Sequence, residues 1–321
     1  MWIVAGSAPA EQACRELAEC DDPGVERRIM SENVLPLEQQ PDVRELIERE
    51  LREDVGPGDA TTLALVERNA KATARIVARE ELVLAGVKVA AEVFRFLDPQ
   101  LQITLDLADG CRARAGDQVL TVSGPARAIL SAERTALNLL QRLSGIATAA
   151  ACLVRIVSDY GTQILDTRKT APGMRRLDKY AVACGGGTNH RAGLHDAILI
   201  KDNHLAFWTR GSKGSLADAV RAARAAYPGL LVEIEVDTLT QLEEALPAQP
   251  DWVLLDNMPP GDVAEAVALC SGICRTEASG GITSANVREY ARTGVTAISI
   301  GALTHSVRAV DLALELDAAG S

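Results

Sequence analysis

The chain is short of several things. Aromatic residues make up 3% of its 321 residues, which leaves few platforms for stacking nucleic-acid bases. Positive charge is outnumbered: 33 Lys and Arg stand against 44 Asp and Glu, a formal net charge of −11 with a pI near 5.0. Such a field repels polyanions and excludes general binding to nucleic acid or an anionic membrane, so only a focused pocket would attract an anion. No run of about 18 apolar residues occurs, so no membrane span is expected. The opening MWIVAGSAPA lacks the basic and apolar regions of a secretory signal. Seven cysteines, odd in number and irregularly spaced, are expected to be buried or free thiols in a cytoplasmic protein; Cys270 and Cys274, with three residues between them, match neither a redox nor a zinc pair. Histidine is scarce too, and the three that fall together, His190, His195 and His204, have no neighbouring spacing that makes a transition-metal cage.

What is present is enough apolar residue, 47%, for two domains or a barrel with an appendage. Residues 1–40 lack sustained periodicity and read as an extension with no assigned function. From Pro41, Val43, Leu46, Ile47 and Leu51 share one helical face, and Gly56-Pro57-Gly58 stops the helix. Alternation at Ala72–Ala78 and Leu101–Leu107 and the run Val119–Val122 suggest a small sheet, with a helix over Val87–Leu97 between its strands. Residues 41–143 are thus expected to form a small α+β sandwich domain, closed by a helix from Ala126 to about Leu143, with a C-terminal helix over 307–321 packing on it. The pattern changes over residues 144–306, where the runs Gln163–Leu165, Ala197–Ile200, Leu231–Val236, Trp252–Leu255, Ile273–Thr276 and Ala297–Ile300 alternate with helical, alanine-rich returns. This predicts an incomplete α/β barrel of about six parallel strands.

Polar residues and glycine collect after those runs: Asp166-Thr167-Arg168-Lys169, Lys201-Asp202-Asn203, Glu235 with Asp237, Asp256-Asn257, Glu277 to Gly281, and Gly301-Ala302. Barrels of this type carry their chemistry at the carboxyl ends of the strands. The stretch Leu165–His204 also holds seven Lys or Arg against four Asp, a local excess of three positive charges in an acidic chain. A pocket for a small, highly anionic molecule explains that inversion.

Each cluster has a plainer reading. Lys169 and Lys201 read alone are surface cations or Schiff-base lysines, Glu235 a loop acid and Asp256 a turn former; on successive strand ends the two acids suit a phosphate-bound Mg²⁺. Gly185-Gly186-Gly187 is a turn. Ser279-Gly280-Gly281 after a late strand, with Gly301-Ala302 after the next, would let backbone N–H groups approach a phosphate. Arg134 taken alone is an exposed charge on the Ala126 helix. His190, between Asn189 and Arg191 in a glycine-rich loop, is the histidine best placed for function.

The segments ERTALNLLQRLSGIAT (Glu133–Thr148), DTRKTAPGMRRLDKYAV followed by CGGGTNHR (Asp166–Arg191), ILIKDNH (Ile198–His204), EIEVD (Glu233–Asp237), LLDNM (Leu254–Met258), EASGGIT (Glu277–Thr283) and SIGALTHS (Ser299–Ser306) occur in one order. From about residue 41 onward the chain resembles the quinolinate phosphoribosyltransferase family. It departs from that family in its N-terminal extension and in the stretch Phe207–Ser215. The resemblance implies transfer of a phosphoribosyl group from 5-phosphoribosyl 1-pyrophosphate to quinolinate with decarboxylation, in NAD biosynthesis and with Mg²⁺ as cofactor. It implies that Arg134, Arg168, His190 and Arg191 bind quinolinate. Lys169, Lys201, Ser279, Gly280, Gly281, Gly301 and Ala302 would bind the phosphoribosyl donor, and Glu235 and Asp256 the metal or ribose hydroxyls. The catalytic set is then Lys169, Lys201, Glu235 and Asp256. Arg134 would act in the barrel of the neighbouring subunit, making a homodimer the minimal unit. The alternatives are a relative of the molybdate-transport type with another substrate, a Schiff-base aldolase, and a non-catalytic protein that binds phosphorylated metabolites.

Overall fold

The computed structural model describes residues 35–212 and 214–317. Most of the expected N-terminal extension therefore lies outside the described residues. The chain divides into two compact units, one of 35–151, Ala171–Gly186 and 306–317 and the other of Cys152–Thr170 and Gly187–His305.

In the first unit, α1 (Pro41–Val55) opens with Pro41 at its first position and closes at Gly56, whose φ of 53° suits glycine. Val43, Leu46, Ile47 and Leu51 are buried, as their spacing predicts. Asp59 caps α2 (Ala60–Leu65) by accepting the Thr62 N–H at 3.0 Å. The strands that follow are β1 (Lys71–Ala78), β2 (Leu82–Val83), β3 (Gln102–Leu105), β4 (Arg112–Ala113) and β5 (Gln118–Pro125), with α3 (Val87–Leu97) between β2 and β3. Strand β1 runs antiparallel to β5, and β5 antiparallel to β3. Next comes α4 (Ala126–Val157), which continues past its expected end near Leu143 and whose residues from Cys152 onward are counted in the second unit. Gly145 lies within α4 because a Cβ there would overlap the Arg308 carbonyl oxygen, so the close approach of that chain requires glycine. By length and composition α4 could cross a membrane, and its buried Ile129, Leu137, Leu140, Leu143 and Ile146 make it a core helix. Helix α5 (Arg175–Cys184) completes this part, its Asp178 held by the Arg142 guanidinium at 3.0 Å.

The second unit is built on six parallel strands, β6 (Gln163–Leu165), β7 (Ile198–Ile200), β8 (Val232–Val236), β9 (Trp252–Asp256), β10 (Arg275–Ser279) and β11 (Ala297–Ser299). Their order is β6-β11-β10-β9-β8-β7. The end strands do not pair with each other, so the barrel is incomplete, as expected, and at the β6 edge Leu165 pairs instead with Thr188. The crossovers are α6 (Asp202–Ser212) with α7 (Leu216–Ala226), α8 (Leu239–Ala245), α9 (Pro260–Cys270) and α10 (Val287–Ala291), and α11 (Ala302–His305) follows β11. Ser215 and Asp218 cap α7 reciprocally. The expected insertion Phe207–Ser215 runs into α6; Lys213 lies outside the described residues.

The helix expected over 307–321 is corrected by the structure. Leu312–Asp317 is strand β12, antiparallel to β1 with Ile76 opposite Leu314, and residues 318–321 lie outside the described part. Leu312, Leu314 and Leu316 alternate with Ala313, Glu315 and Asp317, a period of two that fits the exposed edge of β1 better than a helix. The cysteines also depart from the reading of them all as thiols: Cys184, Cys270 and Cys274 are free, whereas Cys111 and Cys152 are disulfide-bonded.

Candidate active site

Two groups of expected residues assemble in the barrel unit. The first lies along the carboxyl ends of β7 to β11. Strand β8 places Glu233 and Glu235 on one face because they are two apart, and Glu235 is ion-paired with the ammonium of Lys201, the residue after β7. Asp256 is the last residue of β9. Burial foremost, then the Asp237 carboxylate, raises its pKa above the usual 3.8, while Lys201 and Lys169 act in the opposite direction. Lys169, Lys201, Asp237 and Asp256 therefore share one electrostatic neighbourhood. Beyond β9, Asn257 takes a φ of 54° and donates its backbone N–H to the Ser279 carbonyl at 2.9 Å, so the β9–β10 ladder continues to the rim. Gly280 follows with φ 94°, and a Cβ there would overlap Asn257 Oδ1. Glycine is required for both backbone and space. Gly281 has φ 61° and open surroundings, and Gly301 lies where a Cβ would meet Lys169 Cδ at 2.9 Å. The Lys169 carbonyl accepts the Thr304 hydroxyl at 2.9 Å, tying the loop after β6 to α11. Ser279 is half-buried, and Ala302 opens α11 exposed.

The second group surrounds the Thr188–Ala197 loop. Asp166, fully buried after β6, accepts the His190 backbone N–H at 2.9 Å. His190 Nδ1 accepts the Arg191 N–H at 2.7 Å, and Nε2 lies 3.2 Å from Glu233 and 3.3 Å from Glu277. Burial alone would lower the imidazole pKa, but the bonds to Glu233 and Glu277 and their charges outweigh it and push the value up to about 10. The geometry puts one limit on this. A proton on Nδ1 would cost the contact from Arg191 N–H, so the arrangement is that of Nε2–H facing two carboxylates. Burial first raises Glu233 to about 7, His190 opposing and Glu277 assisting the rise. Arg191 donates through Nη1 to the Ala197 carbonyl at 3.1 Å. Burial and then the Arg168 charge make its guanidinium easier to deprotonate than usual, which places the two arginines within range of each other. Arg168 Nε is buried with no hydrogen-bond partner among the described residues. Beside these residues is a cavity of about 360 Å³ lined by His190, Arg191, Glu233, Glu277, Trp252 and Arg275.

Arg134 is exposed on α4, in the other compact unit. Sequence reasoning assigns no role to Glu233 or Glu277. In the sequence Glu277 reads as following its strand, whereas β10 runs on to Ser279 and buries it at 1% exposure. A carboxylate two residues before Glu235, on a strand whose alternate members are apolar, is the available signal.

For a divalent cation, Asp237 and Asp256 lie close enough for their charges to act on each other, while Glu235 is engaged by Lys201; a hard ion such as Mg²⁺ needs one or two carboxylates plus substrate phosphates. His190, Glu233 and Glu277 bring ligand atoms within 4.8 Å of one another, but a metal on Nε2 would require a proton on Nδ1, which instead accepts the Arg191 N–H. That cluster does not fit a metal.

Residues 59–144 match the model of the quinolinate phosphoribosyl transferase N-terminal domain, and residues 146–315 that of its C-terminal domain. The chain belongs to the quinolinate phosphoribosyl transferase family. It is 42% identical over 275 residues to a probable nicotinate-nucleotide pyrophosphorylase (carboxylating) of Bacillus subtilis, covering 85% of this chain and 93% of that one. It is 45% identical over 279 residues to the corresponding enzyme of Mycobacterium leprae, covering 85% and 96%. The structure of the nicotinate-nucleotide pyrophosphorylase from Francisella tularensis superposes with a TM-score of 0.81 at 40% identity, covering 89% of this chain and all of that one. Family membership accounts for the two-part architecture, an antiparallel α+β unit joined to an incomplete parallel barrel.

Proposed function

We propose that this chain transfers the phosphoribosyl group of 5-phosphoribosyl 1-pyrophosphate to quinolinate with loss of CO2, giving nicotinate mononucleotide and pyrophosphate in NAD biosynthesis. Beyond family membership, what supports the reading is that one barrel unit gathers two separate sets of groups suited to anions. One is a guanidinium pair, Arg168 and Arg191, and the other a rim of Lys169, Lys201 and Gly280-Gly281.

Quinolinate presents two adjacent carboxylates, and planar guanidinium groups hold these better than ammonium groups. The lysines suit the donor's pyrophosphate. As the ribosyl C1–O bond breaks, negative charge develops on the departing pyrophosphate, where Lys169 and Lys201 stabilise it. Backbone N–H groups after β10 and β11, at Ser279, Gly280, Gly281, Gly301 and Ala302, take the 5-phosphate. Glu235 and Asp256 hold the ribose hydroxyls or Mg²⁺, which when bound neutralises pyrophosphate charge. The pyridine nitrogen attacks C1, and its resulting positive charge stabilises the carbanion left when CO2 departs from the adjacent carbon, so the ring is the electron sink and no protein nucleophile is required. Arg134 is proposed to reach quinolinate in the barrel of a second subunit, with a homodimer as the active unit.

The Lys201 ammonium is engaged by Glu235, which disfavours a Schiff-base role, and the pyrophosphorylase names of the curated relatives leave the molybdate-transport alternative without support. The test is to incubate the purified protein with the phosphoribosyl donor and either quinolinate or nicotinate, with Mg²⁺ or with chelator. Mononucleotide and CO2 are expected from quinolinate with Mg²⁺ alone. Equal product from nicotinate would refute the dicarboxylate reading, and full activity in chelator would remove the metal from it.

A further inference from the structure

His190 has its hydrogen-bonding groups turned toward the protein. The backbone N–H goes to buried Asp166, Nδ1 takes the Arg191 N–H, and Nε2 faces Glu233 and Glu277. A ring so engaged has no nitrogen left to donate to a substrate carboxylate without giving up one of these contacts. The next residue, Arg191, is one whose guanidinium the dicarboxylate needs. Its backbone N–H is fixed by the His190 ring and its Nη1 by the Ala197 carbonyl, so both ends of the residue are fastened.

The two glutamates are also unusual. They are carboxylates at 7% and 1% exposure, brought from β8 and β10 to a single nitrogen. Each leaves its Oε1 buried with no hydrogen-bond partner among the described residues. Such groups are costly to bury, and no step of the phosphoribosyl transfer uses them. They do share a target: each approaches the same imidazole nitrogen, one from each side of the intervening strand β9. A bifurcated acceptor pair of this kind fixes the plane and tilt of the ring, and through Nδ1 fixes the main chain that carries Arg191.

We propose that Glu233 and Glu277 are positioning residues that clamp His190, and that His190 acts on quinolinate through Arg191 rather than by contact with it. This rests on the proposed reaction and assigns a role to two residues that reaction does not otherwise use. The clamp sets specificity for the dicarboxylate ring and is indifferent to the phosphoribosyl donor, which is held at the Lys169–Gly280 rim.

Steady-state kinetics of the full-length enzyme with each substrate varied in turn tests it. Glu277→Leu is expected to raise the KM for quinolinate by roughly tenfold or more and to move that for the phosphoribosyl donor less than about twofold, since contacting groups couple by up to a few kcal/mol. Glu277→Gln keeps an oxygen acceptor for Nε2–H and should recover most of the loss. The decisive measurement is the cycle of His190→Ala, Arg191→Ala and the double variant. If His190 works through Arg191, the double variant matches Arg191→Ala within about twofold in kcat/KM for quinolinate. Multiplying effects would mean that His190 meets the substrate itself and would overturn the inference. So would an unchanged KM for quinolinate in Glu277→Leu, or equal shifts for both substrates, which signals general disturbance. Should Glu277→Leu fail to fold, the Gln variant and the cycle still decide. A wild-type protein that makes no mononucleotide from quinolinate defeats the proposed function; an active wild type whose variants behave otherwise defeats only the clamp.

Discussion

Replacing Arg191 with alanine tests the dicarboxylate pocket at its most informative point. The guanidinium is partly buried, donates to the Ala197 carbonyl at 3.1 Å, and is pressed by the charge of Arg168. Two guanidinium groups held within range of each other repel, and a dianionic ligand between them relieves that repulsion. Removing one strands a desolvated substrate carboxylate, which costs about 2–5 kcal/mol. Removing it also abolishes the arginine–arginine repulsion in the free enzyme, an offset on the order of 1 kcal/mol at the effective dielectric of such sites. A mid-range loss of about 3.5 kcal/mol less that offset leaves roughly 2.5 kcal/mol, a fall on the order of 10²-fold in kcat/KM for quinolinate. Arg168→Ala should fall in the same range, because it leaves the complementary half of the pair. The assay is kcat/KM for quinolinate at saturating phosphoribosyl donor, accompanied by direct titration of quinolinate. Loss of the Ala197 contact costs the fold about 1 kcal/mol, so a melting curve confirms that the variant is folded. Unchanged quinolinate affinity in both arginine variants would refute the clamp of two guanidiniums.

Three further outcomes are expected. Verified heterodimers of an Arg134→Ala chain with a Lys169→Ala chain should recover activity, since one of the two shared sites would then carry both native residues; no recovery would place each site within one chain. Gly280→Ala, at φ 94° with Asn257 Oδ1 in the space of the new Cβ, should raise the KM for the phosphoribosyl donor by roughly tenfold or more through strain of about 1–3 kcal/mol, whereas Gly281→Ala, strained in φ alone, should do less. An equal effect of both would break the link between that close contact and phosphate binding. The hydrogen bonds from Thr62, side-chain contribution first, hold the Asp59 carboxyl below its usual 3.8. A lowered carboxylate stabilises the fold above its unfolded value and loses that contribution as pH falls through the folded value. Asp59→Ala should therefore cost about 0.5–2 kcal/mol near neutrality, a difference that shrinks in acid; a pH-independent difference in chemical denaturation would contradict this.

The barrel was legible in the sequence because buried parallel strands write themselves as short apolar runs, and their polar ends then fall where chain direction puts them. All six runs are strands within a few residues of their expected limits. The misreadings share one physical cause, which is that a local signal is outvoted by a distant partner. The helix expected to end near Leu143 runs on through Gly145, whose missing side chain leaves room for the Arg308 carbonyl. The last residues resemble a helix until the free edge of β1 is available to Leu312–Asp317.

The same cause explains which part of the site could be read. Lys201, Asp256 and Gly280 sit at strand ends, where a polar residue after an apolar run announces itself. Glu233 and Glu277 sit inside strands, where charge contradicts the run and its meaning depends on what lies across the barrel. Only the folded chain brings His190, from the open edge between β6 and β7, to within 3.3 Å of both. A carboxylate inside a buried strand therefore carries a definite implication: its cost must be met by a partner, and when two such strands meet at one histidine, that residue's task is set by the pair. In this barrel the interior acids meet the loop at His190, whereas the acids at the rim, Glu235 and Asp256, lie beside the lysines at the strand ends.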